Sequence, residues 1–370
     1  MSSLPTSALT NLEAKATSDA AADSASDAAL EATPKRSLKS PLGEFDLIER
    51  YFKRHTGVHT TFSQPTVVLG IGDDCALLSS TPGHHWAVST DSMVEGRHFF
   101  PDVDPVHLGH KALAVNLSDL AACGATPRCF TLGLTLPHVD ESWLSGFSEG
   151  LFALADQYGC VLVGGDTTQG LLNIAITVMG EVPQGQALRR SGARVGDDLW
   201  VSGTLGDARL GLEALLGERR LSPQALQYAQ HRLECPTPRV ALGLALRGLA
   251  SSAMDLSDGL LGDLGHLLKS SGLGAQIETH WIDGESQAIS PWLQALSLDD
   301  RRSLVLSGGD DYELLFTAPV SARDAVLALS REMSTPLTRI GVMVPGHSLR
   351  VLDAQGHEVK IQQHSYEHFS

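Results

Sequence analysis

Carboxylates recur directly after short apolar runs, and these acids are the side chains best suited to binding cations. The run from Val67 to Leu69 predicts a short buried strand, and the glycines at 70 and 72 let the backbone turn sharply before the adjacent acids Asp73 and Asp74. Neighbouring like charges repel, so such a turn either points into water or faces a cation. The same order of apolar strand, small residue and acid is predicted at Asp91, Asp166, Asp255 with Asp258, and Asp310 with Asp311.

A further acid is predicted on a helix that runs from Pro105 to about Cys123. Asp119 continues an apolar stripe of this helix, because spacings of four, three and four positions connect it to Leu108, Ala112 and Val115. A carboxylate buried without a partner is energetically costly. Asp119 therefore either has a cation or hydrogen-bond donors beside it, or lies just beyond the buried patch in water.

The oxygen ligands of these acids predict Mg²⁺ or Mn²⁺ rather than zinc. The sequence contains neither HExxH nor Cys and His at the spacing of zinc motifs. Mg²⁺ shares much of its coordination shell with phosphates and water, so many scattered acids indicate several ions on a polyphosphate. The segment Gly164-Gly165-Asp166 lacks the lysine of a phosphate-binding loop, so metals and arginines would hold a nucleotide. Arg190 is the candidate phosphate contact, because a guanidinium fits phosphate as a fork.

Each motif also has a purely structural interpretation. Asp255 to Gly259 resembles the start of a helix, with Ser257 or Asp258 as the capping residue. Turn, linker or packing roles are the alternatives for Thr90, Asp91, Arg190, His98 and Tyr366.

Composition narrows the class of protein. The formal net charge of the 370 residues is −16 and only 5% are aromatic, which argues against binding nucleic acid or an anionic membrane. The five cysteines are scattered and odd in number, which favours a reducing, cytoplasmic location. No apolar run approaches the ~18 residues of a membrane span, and no signal peptide is recognised at the start.

Three segments are predicted along the chain. Residues 1–42 are rich in Ala and Ser and are expected to be a disordered extension. Residues 43–185 and 186–370 both alternate strands and helices, for example a strand at 85–89 and a helix at 141–158, so we expect two mixed α/β domains facing a cleft. The Gly-rich connection at 183–195 carries Arg190.

An ordered set of motifs over residues 43–370 resembles the thiamine-monophosphate kinase family. No single motif decides this, whereas the order of the set is specific. The motifs are GEFDLIERYF, GIGDDCAL, STDSMVEGRHF, KALAVNLSDLAACGA, VGGDTTQG, RSGARVGD, SGTLGDA, DLSDGL and GGDDYELLF.

The resemblance implies a PurM-like fold of two domains, with a mixed amino-terminal sheet that pairs across a homodimer and an α/β carboxy-terminal domain. Carried over by motif, the metal ligands are Asp74, Ser89, Thr90, Asp91, Asp119, Asp166, Asp255 and Asp258. The ATP contacts are Gly165, Asp166, Arg190 and Ser257. The substrate contacts are His98, Asp310 and Tyr366. Catalysis would rest on Asp74, Asp91, Asp119, Asp166 and Arg190 through bound metal, with no general base.

The implied reaction is ATP-dependent phosphorylation of thiamine monophosphate, assisted by several Mg²⁺ ions. Whether a monovalent cation is also required is left open. The family more often has Glu where this chain has Asp310, so the shorter side chain is expected to reach less far toward the pyrimidine of the substrate. Alternatives are another synthetase of the same fold, such as selenophosphate or aminoimidazole ribotide synthetase, a metal-dependent phosphatase, or a non-catalytic nucleotide-binding module. Selenophosphate synthetase is disfavoured, because the segment before Gly43 has no cysteine.

Overall fold

The computed structural model describes residues 43–53 and 66–359. Up to Pro183 these residues form three α-helices, one π-helical turn and six strands. The helices are α1 (Glu44–Leu47), followed by the π-helical turn Ile48–Phe52, α2 (Pro105–Ala122) and α3 (Glu141–Tyr158). The strands are β1 (Val67–Leu69), β2 (Leu77–Leu78), β3 (His84–Val94), β4 (Thr126–Leu136), β5 (Val161–Gln169) and β6 (Asn173–Pro183).

Four of these strands form a mixed sheet in the order β3-β6-β4-β5, in which only the β4–β5 pair is parallel. One face of the sheet is covered by α2, which packs closely against α3. A Cβ atom on Gly150 would lie 1.8 Å from the carbonyl oxygen of Val106, so glycine is required where the two helices meet. This covered face holds the apolar core of the amino-terminal part.

The opposite face of this sheet is open in the described chain. Alternate residues of β3 are exposed, and Val88 retains 62% of its accessible surface. Thr90 lies on the same face and is hydrogen-bonded through its hydroxyl to Thr177 of β6 (2.8 Å). The sheet thus has one helix-facing side and one side without cover.

The second part of the chain is built on a six-stranded sheet in the order β12-β9-β11-β7-β10-β8. Its strands are β7 (Asp198–Ser202), β8 (Ser252–Leu256), β9 (Gly274–Glu278), β10 (Glu313–Ala318), β11 (Leu337–Val344) and β12 (Leu349–Leu352). Its helices are α4 (Asp207–Leu215), α5 (Pro223–Glu234), α6 (Val240–Ala245), α7 (Leu260–Ser271), α8 (His280–Asp283), α9 (Pro291–Gln294), α10 (Leu298–Ser307) and α11 (Arg323–Glu332). The predicted mixed α/β architecture is confirmed, and we keep the domain boundary at 185/186 as a proposal.

The connection between the two sheets runs along the second one. The N–H of Ala253 in β8 donates to the carbonyl oxygen of Arg189 (2.9 Å), and Ser271 Oγ donates to that of Arg190 (2.9 Å). These bonds fix the backbone of the arginine-bearing segment beside β8.

The prediction that each acid follows the end of a strand is wrong at several positions. Asp91 lies inside β3, Asp166 inside β5 and Asp255 inside β8. These strands continue because a neighbouring strand pairs with them residue by residue, as β6 does with β3 along its whole length. Asp310 and Asp311 follow the helix α10 and not a strand. Among the described residues, no helix is long and apolar enough to span a bilayer.

Candidate active site

Carboxylates from three elements meet on the helix-facing side of β3. Ser89 Oγ donates a hydrogen bond of 2.5 Å to Asp119 Oδ2, which connects β3 to α2. The hydroxyl of Ser118, the residue before Asp119 on α2, donates to Asp255 Oδ2 at 2.8 Å and so connects α2 to β8. The N–H of Asp91 donates to Asn116 Oδ1 at 3.2 Å. The apolar packing of α2 thereby places its polar residues between the two sheets.

Within the described residues, burial and mutual repulsion raise the pKa values of the carboxylates in this cluster. Burial, together with the neighbouring Asp119 and Asp258, raises the pKa of Asp91 to about 6. Burial and Asp119 raise the pKa of Asp255 to about 8. Burial also raises the pKa of Asp119 itself, although Ser89 and Arg190 oppose this. Hard oxygen donors with raised pKa values fit a divalent cation such as Mg²⁺, which would relieve the repulsion.

The loop after β8 is held by another buried acid. Asp263 accepts the N–H groups of Ser257 and Asp258, each at 3.0 Å. Burial and the charge of Asp258 raise the pKa of Asp263 to about 7. Asp263 therefore shapes the backbone that presents Ser257 and Asp258 beside Asp91.

A groove of about 150 Å³ opens over the cluster. Its lining includes Ser89, Asp119, Asp255, Arg190 and Cys123. The guanidinium of Arg190 is close enough to Asp119 to influence its pKa. An arginine that faces carboxylates suits a ligand that carries both phosphates and bound metal. The phosphates would pair with the guanidinium, and the metal would pair with the carboxylates.

A second cavity lies nearer the start of α2. His98, Lys111 and Asp310 line it, and the Lys111 Nζ atom donates to Asp310 Oδ1 at 3.0 Å. Burial alone would raise the pKa of Asp310, but Lys111 holds it below the ordinary value. The N–H of Val94 donates to His98 Nδ1 at 2.9 Å and fixes the ring. The structure thus brings together His98 and Asp310, both predicted as substrate contacts.

The backbone at Asp310 is unusual. Asp310 has a φ of 66° and Tyr312 one of 50°, in the left-handed region that side chains other than glycine seldom adopt. The N–H of Asp310 donates to the carbonyl oxygen of Ser257, and that of Tyr312 to Leu256, both at 2.8 Å. These bonds tie the Asp310 loop to the loop that carries Asp258.

Other predicted residues lie apart from this cluster within one chain. Asp166 pairs with Gly133 of β4 and lies on the open face of the sheet, as Thr90 does. Three strand spacings separate β5 from β3, which is about 14 Å. Asp74 is exposed in the hairpin between β1 and β2, where its N–H donates to Asp73 Oδ1 (2.8 Å). Tyr366 lies outside the described residues. The roles of these four residues remain predictions.

Sequence reasoning missed four residues that support the two sites, namely Lys111, Asn116, Ser118 and Asp263. Polar residues on an otherwise apolar helix are a signal that could have identified three of them, because each needs a buried partner. Asp263 gave no such signal. It lies in the first turn of a helix, where an acid usually stays in solvent and interacts with the unpaired N–H groups of the helix start.

Comparison with known proteins identifies the family of the chain. The sequence matches the family described as AIR synthase related protein, N-terminal domain, over residues 72–182, and its C-terminal domain over residues 194–354. Thiamine-monophosphate kinase of Salmonella typhimurium is 45% identical over 331 residues, which cover 89% of this chain and 98% of the relative.

Solved structures give the same result. The crystal structure of thiamine-monophosphate kinase from Stenotrophomonas maltophilia superimposes with a TM-score of 0.73 at 45% identity, covering 79% of this chain and 92% of that one. The structure of AaThiL complexed with AMPPCP and TMP superimposes with a TM-score of 0.66 at 30% identity, covering 79% and 89%. With nearly the whole length of such relatives matched and the fold shared, the chain belongs to the thiamine-monophosphate kinase family.

Proposed function

We propose that this kinase transfers the γ-phosphoryl group of ATP to thiamine monophosphate and forms thiamine diphosphate. The proposal is carried by one observation: two residues of α2 face two different pockets. Asp119 faces the groove with Arg190, and Lys111 faces the cavity with His98 and Asp310. Eight residues of helix separate them, about 12 Å, which suits a nucleotide and a phosphorylated acceptor placed end to end.

The residues divide between these two ligands. In the groove, Ser89, Asp91, Asp119, Asp255 and Asp258 would hold Mg²⁺, and Arg190 and Ser257 would contact the phosphates of ATP. In the cavity, His98 and Asp310 would contact thiamine monophosphate, with Tyr366 as a further contact. We also retain the predicted metal roles of Asp74, Thr90 and Asp166, and the predicted ATP contacts of Gly165 and Asp166.

The chemistry needs no general base, because the acceptor is a phosphate oxygen that is already ionised at neutral pH. The main obstacle is repulsion between two polyanions. Bound Mg²⁺ would supply the positive charge that offsets this repulsion. The protein would hold the two phosphates in line, with Arg190 on the transferred group and the Lys111–Asp310 pair fixing the acceptor side of α2.

We further propose a homodimer formed through the open face of the four-stranded sheet. Exposed apolar residues concentrate on the strands around this face, including Val88 of β3 and Val94 at its end (62% and 38% exposed). Thr90 and Asp166 would then lie in the interface, so their proposed ligand roles depend on the pairing. A cytoplasmic location also belongs to the proposal, and all five cysteines are free thiols.

An assay of ADP release with and without thiamine monophosphate tests the reaction. We expect ADP to form only with the acceptor, and Asp119→Asn to lower kcat by about 1,000-fold while the protein stays folded. Asp324→Asn, on the exposed side of α11, is the matched control and should keep full activity. ADP and free phosphate released without acceptor would instead support a phosphatase.

A further inference from the structure

A cluster of nitrogen and sulfur donors lies between the start of α2 and the end of α5. A ring nitrogen of His107, a ring nitrogen of His231 and the Sγ atom of Cys235 all lie within 4.8 Å of one another. His107 belongs to the first turn of α2, and His231 and Cys235 are four positions apart on α5 and its C-cap. The cluster therefore joins two helices from different parts of the chain.

The surroundings of His107 match those of a metal-ligating histidine. Its Nδ1 atom lies 2.8 Å from Oε2 of the buried carboxylate of Glu234. The other carboxylate oxygen of Glu234 accepts from Gln230 Nε2 at 2.9 Å, so the carboxylate is itself held in place. A carboxylate on one ring nitrogen orients the ring and leaves the second nitrogen for a metal, an arrangement that recurs behind zinc ligands.

The protonation states of the other two donors differ, and the thiol must lose its proton before it can bind a metal. Burial and the neighbouring His107 lower the pKa of His231, so its imidazole is neutral and can donate a lone pair. Burial and the charge of Glu234 raise the pKa of the Cys235 thiol to about 12. Metal binding would therefore release the thiol proton to solvent. A third imidazole, His110, is fixed by a 2.9 Å contact of its Nε2 atom with the carbonyl oxygen of Pro236.

We propose that His107, His231 and Cys235 form a binding site for a borderline-soft divalent transition metal, with Zn²⁺ as the occupant. Two imidazoles and a thiolate select such a cation and not Mg²⁺, which prefers oxygen. Bond lengths of 2.0–2.3 Å in a tetrahedral site imply donors about 3.5 Å apart, so the side chains must draw together by about 1 Å. Water would complete the coordination.

The site borders the proposed acceptor cavity. Glu234 and Leu233 of α5 line that cavity together with Lys111 of α2. A metal that ties α2 to α5 would thus fix two of its walls. The expected effect of Zn²⁺ is a higher midpoint of thermal unfolding, since the ion binds the folded chain.

Cobalt provides a direct probe, because a thiolate–Co²⁺ bond gives a charge-transfer band in the near ultraviolet. The full-length chain is stripped with a chelator and titrated with Co²⁺ in excess Mg²⁺, which occupies the oxygen ligands. We expect the band to saturate at one Co²⁺ per chain and to disappear when Zn²⁺ is added. No band in the unmodified chain would overturn the proposal.

Variants assign the band to this cluster. Cys235→Ser should abolish it, and Cys75→Ser, which changes an exposed thiol elsewhere in the chain, should keep it. His231→Gln should weaken Zn²⁺ binding at least about tenfold, and His138→Gln, at another exposed histidine, should leave it unchanged. A band that persists in Cys235→Ser, or equal Zn²⁺ affinity in the two histidine variants, would overturn the proposal. The unfolding midpoints of the metal-free variants confirm that each is folded.

Discussion

Lys111 and Asp310 form a buried ion pair, with side chains only 5% and 8% exposed. Such a pair is sensitive to the loss of one partner, because the remaining charge stays buried. The contact between these two residues could not be predicted from the sequence, since 199 positions separate them. What the motifs did predict is Asp310 itself, as a substrate contact.

Replacing Lys111 by Met should destabilise the fold by about 3 kcal/mol, because Asp310 is left without its positive partner. Urea unfolding measures the change. Adding Asp310→Asn to this variant should restore part of the loss. Lys53→Met, which breaks the exposed pair with Glu49, is the matched control and should cost only a few tenths of a kcal/mol, roughly. If Lys111→Met and Lys53→Met lower the free energy of unfolding equally, burial of the Lys111–Asp310 pair contributes nothing.

The stability of the metal-free protein should fall as the pH rises. Burial and Asp119 raise the pKa of Asp255 from 3.8 to about 8, so the folded state binds this proton more tightly than the unfolded state does. That stabilisation is complete below the unfolded pKa and is lost as the pH rises through about 8. Asp91 acts with the same sign at lower pH, since its pKa is about 6.

Urea unfolding in the presence of a chelator should therefore show a loss of about 1 kcal/mol between about pH 7 and about pH 9. Asp255→Asn should flatten this dependence, and Mg²⁺ should reduce it by binding the ionised carboxylates. If the free energy of unfolding of the metal-free protein rises over the same pH range, the raised pKa of Asp255 in the carboxylate cluster is contradicted.

Among the helices and strands, those with clear end signals were predicted well. The helix predicted at 141–158 has the same bounds in the structure, because Asp140 caps its start and Gly159 ends it with a left-handed φ of 61°. Strand β3 was predicted to stop at 89 but runs to Val94, since pairing with β6 extends it. Cross-strand pairing of this kind is tertiary information, which local sequence patterns do not carry.

Gly165 in β5 is required by the approach of β4. Its φ is 154°, and a Cβ atom there would lie 1.9 Å from the carbonyl oxygen of Leu132. Gly165→Ala should therefore cost about 2 kcal/mol of stability, by the strain of pushing the two strands apart. Gly164→Ala is the matched control, because a Cβ atom at Gly164 has no neighbour within 4 Å.

The two variants are compared by urea unfolding and by kcat. Gly165→Ala should also lower kcat, because β5 carries the predicted ATP contacts. Equal stability of the two variants would mean that the close approach of β4 and β5 is not required for folding.

For the whole molecule, the sequence predicted the fold class and family, whereas the spatial relations between the site residues came from the structure. Asp91, Asp119 and Asp255 lie together because α2 packs between two sheets. Asp166, predicted for the same metals, lies on the opposite face of the first sheet. Motif order carries no information on which face of a sheet a residue occupies relative to another element, so this separation could not be predicted.

The proposed dimer makes a prediction at this scale. Val88→Asp places a charge on the open face, so we expect the dissociation constant of the dimer to rise at least about tenfold. Sedimentation velocity measures the change. Val320→Asp, at a residue 52% exposed in the second part of the chain, is the matched control and should leave the dimer intact. A monomer in the unmodified protein would contradict the proposed pairing.

The direct transfer of phosphate to the acceptor is tested by following the label of [γ-³²P]ATP. The purified full-length chain is incubated with labelled ATP, Mg²⁺ and thiamine monophosphate, and the products are separated. In-line transfer predicts that the label appears in the terminal phosphate of thiamine diphosphate, with the protein unlabelled even when acceptor is left out. Label in free phosphate, or covalently on the protein, would contradict it.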